Sequence, residues 1–115
     1  MKVITLCGSV TKTPKPYWDD YAQKLTLAGN LVFMVNVWGL RDYLHNDPVG
    51  QKKNVLLDKI HKEKIKLSDE VHVLVMDDYV GESTKSEINH ALKLHKPIKY
   101  MHYSSNETTF RTKKE

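Results

Sequence analysis

Four carboxylates lie close together in the sequence, within the segment DDYVGESTKSE at 77 to 87. They belong to Asp77, Asp78, Glu82 and Glu87. Carboxylates that share a site push their pKa values apart, so that one acts as an acid while another stays ionised as a base or nucleophile. The alternative for Asp77 and Asp78 is simple solvation in a turn. This stretch therefore predicts a site for acid–base or nucleophilic chemistry.

Glu87 also has a purely structural interpretation. Residues 84 to 87, TKSE, fit the T-x-x-E capping box, with Thr84 as the N-cap of a helix and Glu87 as the reciprocal acceptor. On spacing alone the capping box is the favoured interpretation. The two roles are compatible, because a carboxylate near a helix N-terminus can accept backbone hydrogen bonds and still face a ligand.

Two further groups of residues are candidates for ligand contacts. Gly8 and Ser9 follow an apolar run and can present backbone N–H groups and a hydroxyl to an anion, or simply form a turn. Trp38 can stack on a flat ring such as a nucleobase, or close the edge of the sheet as a hydrophobic plug. Neither GxGxxG nor GxxxxGK[ST] occurs in the sequence, so the standard dinucleotide and P-loop motifs are absent.

Strand and helix patterns alternate along the chain. The apolar runs predict strands at 2–7, 31–35, 70–76 and 98–103. Helical spacing predicts helices at 14–28, 51–67 and 84–95, and Gly29 is the expected stop of the first helix. A long loop is expected at 36–50. The prediction is an α/β fold, a single flavodoxin-like or Rossmann-like domain at 1–103, with a four- to five-stranded parallel sheet covered by helices on both faces. A polar, mobile tail is expected at 104–115.

Composition narrows the functional classes. The net charge of +4 is weak evidence for nucleic-acid binding but suits a small anionic ligand. Absence of a long apolar run and of a secretory signal pattern favours a cytoplasmic protein without membrane partners.

The single Cys7 is interpreted as a buried small side chain. The six histidines show no i, i+4 pair and no HExxH, so neither a metal site nor a cofactor is expected, and His61 is interpreted as a surface or packing residue.

Three stretches together resemble the nucleoside 2-deoxyribosyltransferase superfamily over most of residues 2–103. They are ITLCGS, LSDEVHVLV and GESTKSEINHALKLHKPI. The sequence is most similar to small, often phage-encoded members, and also to the 2'-deoxynucleoside 5'-monophosphate N-glycosidases, which open with a comparable C-G-S stretch. The resemblance implies that Glu87 is the nucleophile that attacks C1' of deoxyribose and that Ala91 matches the alanine of the family motif. It also implies a homodimer or larger assembly.

The same resemblance assigns the substrate contacts. They fall on the C-G-S stretch, Cys7, Gly8 and Ser9, and on the loop at Gly81, Ser83 and Thr84. The sequence departs from the family at two positions. Asn89 stands where the family has a glycine, and this substitution is expected to crowd the pocket. The carboxylate that many family members carry on the preceding helix aligns near Lys64, which is not an acid. Asp77 or Asp78 then handles the leaving base or anchors the sugar, or the chain does not catalyse the family reaction.

Two hypotheses follow from these residues. The first is an enzyme that cleaves or exchanges the N-glycosidic bond of a 2'-deoxynucleoside or its 5'-monophosphate. The alternative is a non-catalytic nucleotide-binding module with the same fold. Both have a small-molecule nucleoside or nucleotide as partner.

Overall fold

The architecture is a parallel β-sheet with helices on both faces, as predicted. A computed structural model describes residues 1–34 and 48–106, and the side chains of 48–54 are not described. The strands are β1 (Val3–Gly8), β2 (Leu31–Phe33), β3 (Glu70–Met76) and β4 (Ile98–Tyr103). The helices are α1 (Lys15–Leu27), α2 (Pro48–Lys66) and α3 (Glu82–Lys93). Trp38 and residues 107–115 lie outside the described part of the chain.

The four described strands run in the order β2-β1-β3-β4, and all neighbouring pairs are parallel. Chain order therefore reverses between β1 and β3, because β2 continues to one side of β1 and β3 lies on the other. In open α/β sheets a ligand crevice forms at such a switch point, outside the carboxyl ends of the strands. The ends of β1 and β3 are consequently the place to look for a site.

Each strand of the central pair sends alternate side chains to opposite faces. On one face Ile4, Leu6 and Leu74 pack against α1, whose Trp18 is fully buried. On the other face Cys7, Val71, Val73 and Val75 pack with side chains of α2 and α3. All seven residues of β3 are buried, which explains the continuous apolar pattern of a strand covered on both sides.

Local sequence accounts for most element boundaries. Pro14 and Pro16 open α1, and Gly29 follows it with a φ of +93°, a conformation that favours glycine. β3 and β4 have the predicted bounds. β2 is Leu31–Phe33; Met34 lies beyond it, and Val35, the last residue of the predicted strand, falls outside the described residues. The expected loop at 36–50 was wrong at its end, because α2 begins at Pro48, which suits the first turn of a helix.

Residues just beyond β4 contact the body of the domain. The backbone N–H of Ser105 donates a 2.9 Å hydrogen bond to Oδ1 of Asp77, and the Asn106 N–H donates to the Ser104 hydroxyl. The start of the predicted tail is therefore packed beside the end of β3. Among the helices that the structure describes, none combines the length and the apolar content of a bilayer span.

Candidate functional site

Glu87 does not cap its helix. Gly81 is the N-cap of α3, its carbonyl accepts the first helical hydrogen bond from the Lys85 N–H at 2.9 Å, and no side chain caps the helix. The helix begins two residues earlier than predicted, so Thr84 is the third helical residue and Glu87 lies in the second turn. The capping-box prediction was wrong, because the carboxylate of Glu87 makes no capping hydrogen bond at the start of α3.

Glu87 instead lies in a buried cluster with Cys7 and His61. The His61 Nε2 is 3.5 Å from the Cys7 Sγ and 3.7 Å from Oε2 of Glu87. The exposed fractions are 0% for Cys7, 3% for His61 and 7% for Glu87. One residue comes from the carboxyl end of β1, one from α2 and one from α3, so the fold assembles this Cys7–His61–Glu87 cluster at the switch point of the sheet.

Burial controls the protonation of Glu87. Loss of solvation, first, and the negative charge of Asp58 raise the pKa of Glu87 to about 7, while a hydrogen bond from the Cys7 thiol and the charge of Lys62 act in the opposite direction. A glutamate with this pKa is ionised in roughly half of the molecules at neutral pH. It can therefore serve either as a nucleophile or as a proton donor.

The other two members of the cluster are neutral at neutral pH. Burial lowers the pKa of His61 to about 4, and the charge of Lys64 contributes. Burial raises the pKa of the Cys7 thiol well above its ordinary value, and the neighbouring Glu87 adds to this. The Nδ1 of His61 is buried without a hydrogen-bond partner among the described residues. Glu87 is thus the one ionisable member of the cluster that changes charge near neutral pH.

Asp77 and Asp78 do not join Glu87, contrary to the expected gathering of carboxylates. They are the central residues of a turn in which the Tyr79 N–H donates to the Met76 carbonyl, and both have positive φ, as a type I' turn requires. Asp77 accepts a hydrogen bond from Ser105, which lowers its pKa. The Asp78 side chain is 97% exposed beside His102. The turn directs these carboxylates to other partners, in agreement with the alternative of a solvated turn.

The predicted substrate contacts are divided between the surface and the core. The Ser9 hydroxyl accepts a hydrogen bond from the Lys12 N–H at 3.1 Å, so it stabilises the turn after β1. Gly8 has a φ of +154°, and a Cβ at this position would lie 2.8 Å from the Leu74 carbonyl oxygen. In the first turn of α3, Ser83 is exposed, whereas Thr84 is buried.

The structure changes the interpretation of the two positions, Asn89 and Lys64, at which the sequence departs from the family pattern. Asn89 is exposed on α3, whereas Glu87 and Ala91 are buried, so Asn89 does not crowd the buried side of this helix. The preceding helix does carry a carboxylate whose charge reaches Glu87, because Asp58 on α2 raises the pKa of Glu87. Lys64 points elsewhere and donates a 2.9 Å hydrogen bond to the Met34 carbonyl.

Sequence reasoning missed Asp58 and His61. They are three residues apart, and Ile65 follows four residues after His61, a spacing that places all three on one side of a helix. Ile65 is apolar and shares helical spacing with Leu57 in the helix predicted at 51–67, so the spacing could have placed His61 near the core and Asp58 one turn before it on the same side. Only the packing of α2 against α3 shows that they face Glu87.

A cleft of about 430 Å³ lies on the other side of the end of β3. It is lined by Lys12, Pro14, Tyr17, Met76, Asp77, Tyr79 and Ser105. The Lys12 ammonium lies 5.4 Å from the centre of the Tyr79 ring. The cleft therefore offers aromatic surface together with one cation and one carboxylate.

Several solved structures share this fold. A 2-deoxyribosyltransferase from Bacillus psychrosaccharolyticus matches with a TM-score of 0.66 at 17% identity, over 95% of this chain and 78% of its own. The CMP N-glycosidase BcmB of Clostridium botulinum matches with a TM-score of 0.58 at 19% identity, over 97% of this chain and 78% of its own. A 2-deoxyribosyltransferase from Leishmania mexicana matches with a TM-score of 0.62 at 13% identity, over 98% of this chain and 71% of its own.

Sequence comparison adds nothing to this likeness. No protein-family model matches the chain, and no curated protein matches it either. The chain therefore shares its fold with two 2-deoxyribosyltransferases and a CMP N-glycosidase, which is the fold that the resemblance of its three stretches predicted.

Proposed function

We propose that this protein cleaves or exchanges the N-glycosidic bond of a 2'-deoxynucleoside or its 5'-monophosphate, with Glu87 as the nucleophile. The observation that carries the proposal is the position of Glu87, a buried carboxylate that caps no helix and lies at the switch point of the sheet beside Cys7 and His61. The structures that share the fold include a 2-deoxyribosyltransferase and a CMP N-glycosidase, which supports the choice of reaction.

The proposed reaction has two steps. An ionised oxygen of Glu87 forms a bond to C1' while the bond from C1' to the base nitrogen breaks through an oxocarbenium-like transition state, and the base leaves with the bonding electron pair and gains a proton. Water then attacks C1' and releases the sugar, or a second base attacks and forms a new nucleoside. Water gives hydrolysis and a base gives transfer, while Glu87 is regenerated in both cases.

The leaving base needs a proton donor or a hydrogen-bonding partner. The sequence assigned this role to Asp77 or Asp78, but their contacts are with Ser105 and His102. Asp58 is the better candidate for a hydrogen-bonding partner, because its charge acts on Glu87 and 43% of its side chain is exposed, where a substrate can reach it. A carboxylate paired with a lysine has no proton to give, so the proton that the leaving base gains comes from water. Its carboxylate pairs with Lys62 at 3.1 Å, which orients it at the surface of α2.

Binding contacts are proposed at the ends of β1 and β3. Gly8 at the end of β1 and Ser9 after it, with Gly81 before α3 and Ser83 in its first turn, are proposed to contact the sugar or phosphate. Asp77 is proposed as a sugar anchor, because it lines the 430 Å³ cleft with Lys12, whose positive charge suits a 5'-phosphate. Trp38, outside the described residues, stays a prediction for base stacking.

The alternative is a nucleotide-binding module without catalysis. The high burial of the Cys7–His61–Glu87 cluster favours it, because a nucleophile with 7% of its surface exposed must still be reached by C1'. If the protein is such a module, nucleotides should raise its melting temperature and no product should form. If it is an enzyme, nucleotides should raise the melting temperature and free base should be released.

One experiment separates the two proposals. The purified protein is incubated with the four deoxynucleosides and with their 5'-monophosphates, free base is measured by chromatography, and thermal shifts are recorded on the same samples. Base release identifies the enzyme and its substrate class. A thermal shift without base release identifies the binding module, and neither effect with any compound refutes both. The expected homodimer or larger assembly is tested by light scattering on the same preparation.

A further inference from the structure

The Cys7–His61–Glu87 cluster has the donor atoms of a metal site. A thiol sulfur, an imidazole nitrogen and a carboxylate oxygen lie within 4.8 Å of one another, and all three residues are buried. These are the three side-chain types that bind Zn²⁺, and three protein ligands with one open position are typical of zinc sites that bind a further small molecule. From this geometry we propose that the cluster binds one Zn²⁺ ion.

Two of the three distances between donor atoms are close to those around a tetrahedral ion. Bond lengths of about 2.3 Å to sulfur and about 2.0 Å to nitrogen or oxygen place tetrahedral ligands roughly 3.5 Å apart for sulfur with nitrogen or oxygen, and roughly 3.3 Å apart for nitrogen and oxygen. The structure has 3.5 Å between the Cys7 sulfur and the His61 Nε2, and 3.7 Å between that nitrogen and the Glu87 oxygen. The third pair, the Cys7 sulfur and a Glu87 oxygen, lies within 4.8 Å, so the Glu87 carboxylate would move towards the sulfur by up to about 1 Å to complete the site.

Charge balance favours a divalent ion at this place. A thiolate from Cys7 and a carboxylate from Glu87 together neutralise a divalent cation, so the loaded cluster carries no net charge into the protein interior. Asp58 adds negative potential at Glu87. The positive charges of Lys62 and Lys64 act on Glu87 and His61 in the opposite sense, although Lys62 also pairs with Asp58 and Lys64 donates to the Met34 carbonyl.

The mixed donor set also selects among metals. A thiolate is a soft ligand that Mg²⁺ and Ca²⁺ do not favour, whereas Zn²⁺ accepts sulfur, nitrogen and oxygen together. Bound Zn²⁺ would hold the carboxylate of Glu87 and prevent its attack on C1'. That inhibition depends on the proposed function, whereas the binding itself does not.

The test uses Zn²⁺ and Co²⁺ on the purified full chain after chelator treatment and removal of the chelator. Zn²⁺ affinity is measured by competition with a chromophoric chelator. Co²⁺ serves as a spectroscopic probe, because a cobalt–thiolate bond gives a charge-transfer band and a tetrahedral site gives strong visible bands. We expect one tight Zn²⁺ per chain and a Co²⁺ complex that shows both features.

Variants show whether the metal binds at this cluster. Cys7→Ser and His61→Gln should each weaken Zn²⁺ binding by at least about tenfold, since even the loss of an outer hydrogen-bonding partner of a ligand has an effect of that size. Cys7→Ser should also remove the charge-transfer band. His102→Gln is the matched control, because the His102 side chain is 64% exposed beside Asp78, and it should bind as the wild type does.

Three results would overturn the proposal. They are failure of the wild type to take up Zn²⁺, a Co²⁺ complex without the thiolate band, and equal affinity in wild type and ligand variants. Circular dichroism checks that each variant is folded. If Cys7→Ser does not fold, His61→Gln and Glu87→Gln supply the same comparison. Because these readouts involve no substrate, the metal proposal can fail or succeed independently of the glycosidic reaction.

Discussion

Ionisation of Glu87 should destabilise the folded protein as pH rises. Burial raises the folded-state pKa of Glu87 to about 7, from an ordinary value of 4.5. Between these two pH values the folded protein keeps the proton on Glu87 while the unfolded chain has lost it. Stability falls with pH wherever the folded state binds more protons. The protonated carboxyl therefore favours folding below pH 4.5, and this contribution is lost as pH rises to about 7.

The size of the effect follows from the two pKa values. Each pH unit between them corresponds to about 1.4 kcal/mol, so the interval from 4.5 to about 7 amounts to roughly 3 kcal/mol. Glu87→Gln has nearly the same shape and no proton to lose. We expect the variant and the wild type to be about equally stable at pH 4.5, and the variant to be more stable by roughly 2 to 3 kcal/mol at pH 8.

The assay is urea unfolding of both proteins at several pH values between 4.5 and 8. Tryptophan fluorescence reports unfolding, because Trp18 is fully buried in the folded state. Glu63→Gln is the control, since its side chain is 64% exposed on α2 and the substitution should change stability by no more than about 0.5 kcal/mol. A stability difference between Glu87→Gln and wild type that stays constant with pH would refute the reasoning, and so would one that reverses in sign.

Three further predictions concern neighbouring features. Asp58→Asn should lower the pKa of Glu87, because it removes a negative charge, so the same urea series should show the fall in stability ending at lower pH. Glu70 has its pKa lowered to about 2, first by the hydrogen bond from Lys2, so its contribution to stability is present above pH 4.5 and is lost as pH falls towards 2. Because Lys2 is 60% exposed, Glu70→Gln should destabilise by only about 1 to 2 kcal/mol at pH 6, and the difference should vanish in acid unfolding near pH 2. Gly8→Ala should destabilise by about 1 to 3 kcal/mol in thermal unfolding, because its Cβ would lie 2.8 Å from a backbone carbonyl of β3.

Strands and helix ends could be predicted where the residue types of a short segment determine them. The largely apolar run at 70–76 matched β3, because a strand buried on both faces is rich in apolar residues. The run at 98–103 matched β4, which is only partly buried at the edge of the described sheet. The prolines before α1 and Gly29 after it marked its ends, because proline fits the first turn of a helix and glycine adopts the positive φ that follows the last turn. The likeness of three short stretches to a known superfamily predicted the fold correctly.

The composition of the site was harder to predict. Residues 84–87 fit a capping box, but the helical hydrogen bonds of α3 begin at the Gly81 carbonyl, so Thr84 lies within the helix and cannot be its N-cap. Asp77 and Asp78 are near Glu87 in sequence, yet the positive φ of both residues turns the chain and gives them other partners. His61 is 54 residues from Cys7, and motif spacing along one helix carries no information about such a contact.

The most direct test of the central claim compares Glu87→Gln with the wild type in release of free base from a substrate that the panel identifies. If Glu87 is the nucleophile, we expect the variant to bind the substrate, as seen by a thermal shift, and to release no measurable base. Glu63→Gln should release base at the wild-type rate. Base release by Glu87→Gln at the wild-type rate would contradict the assignment of Glu87 as the nucleophile.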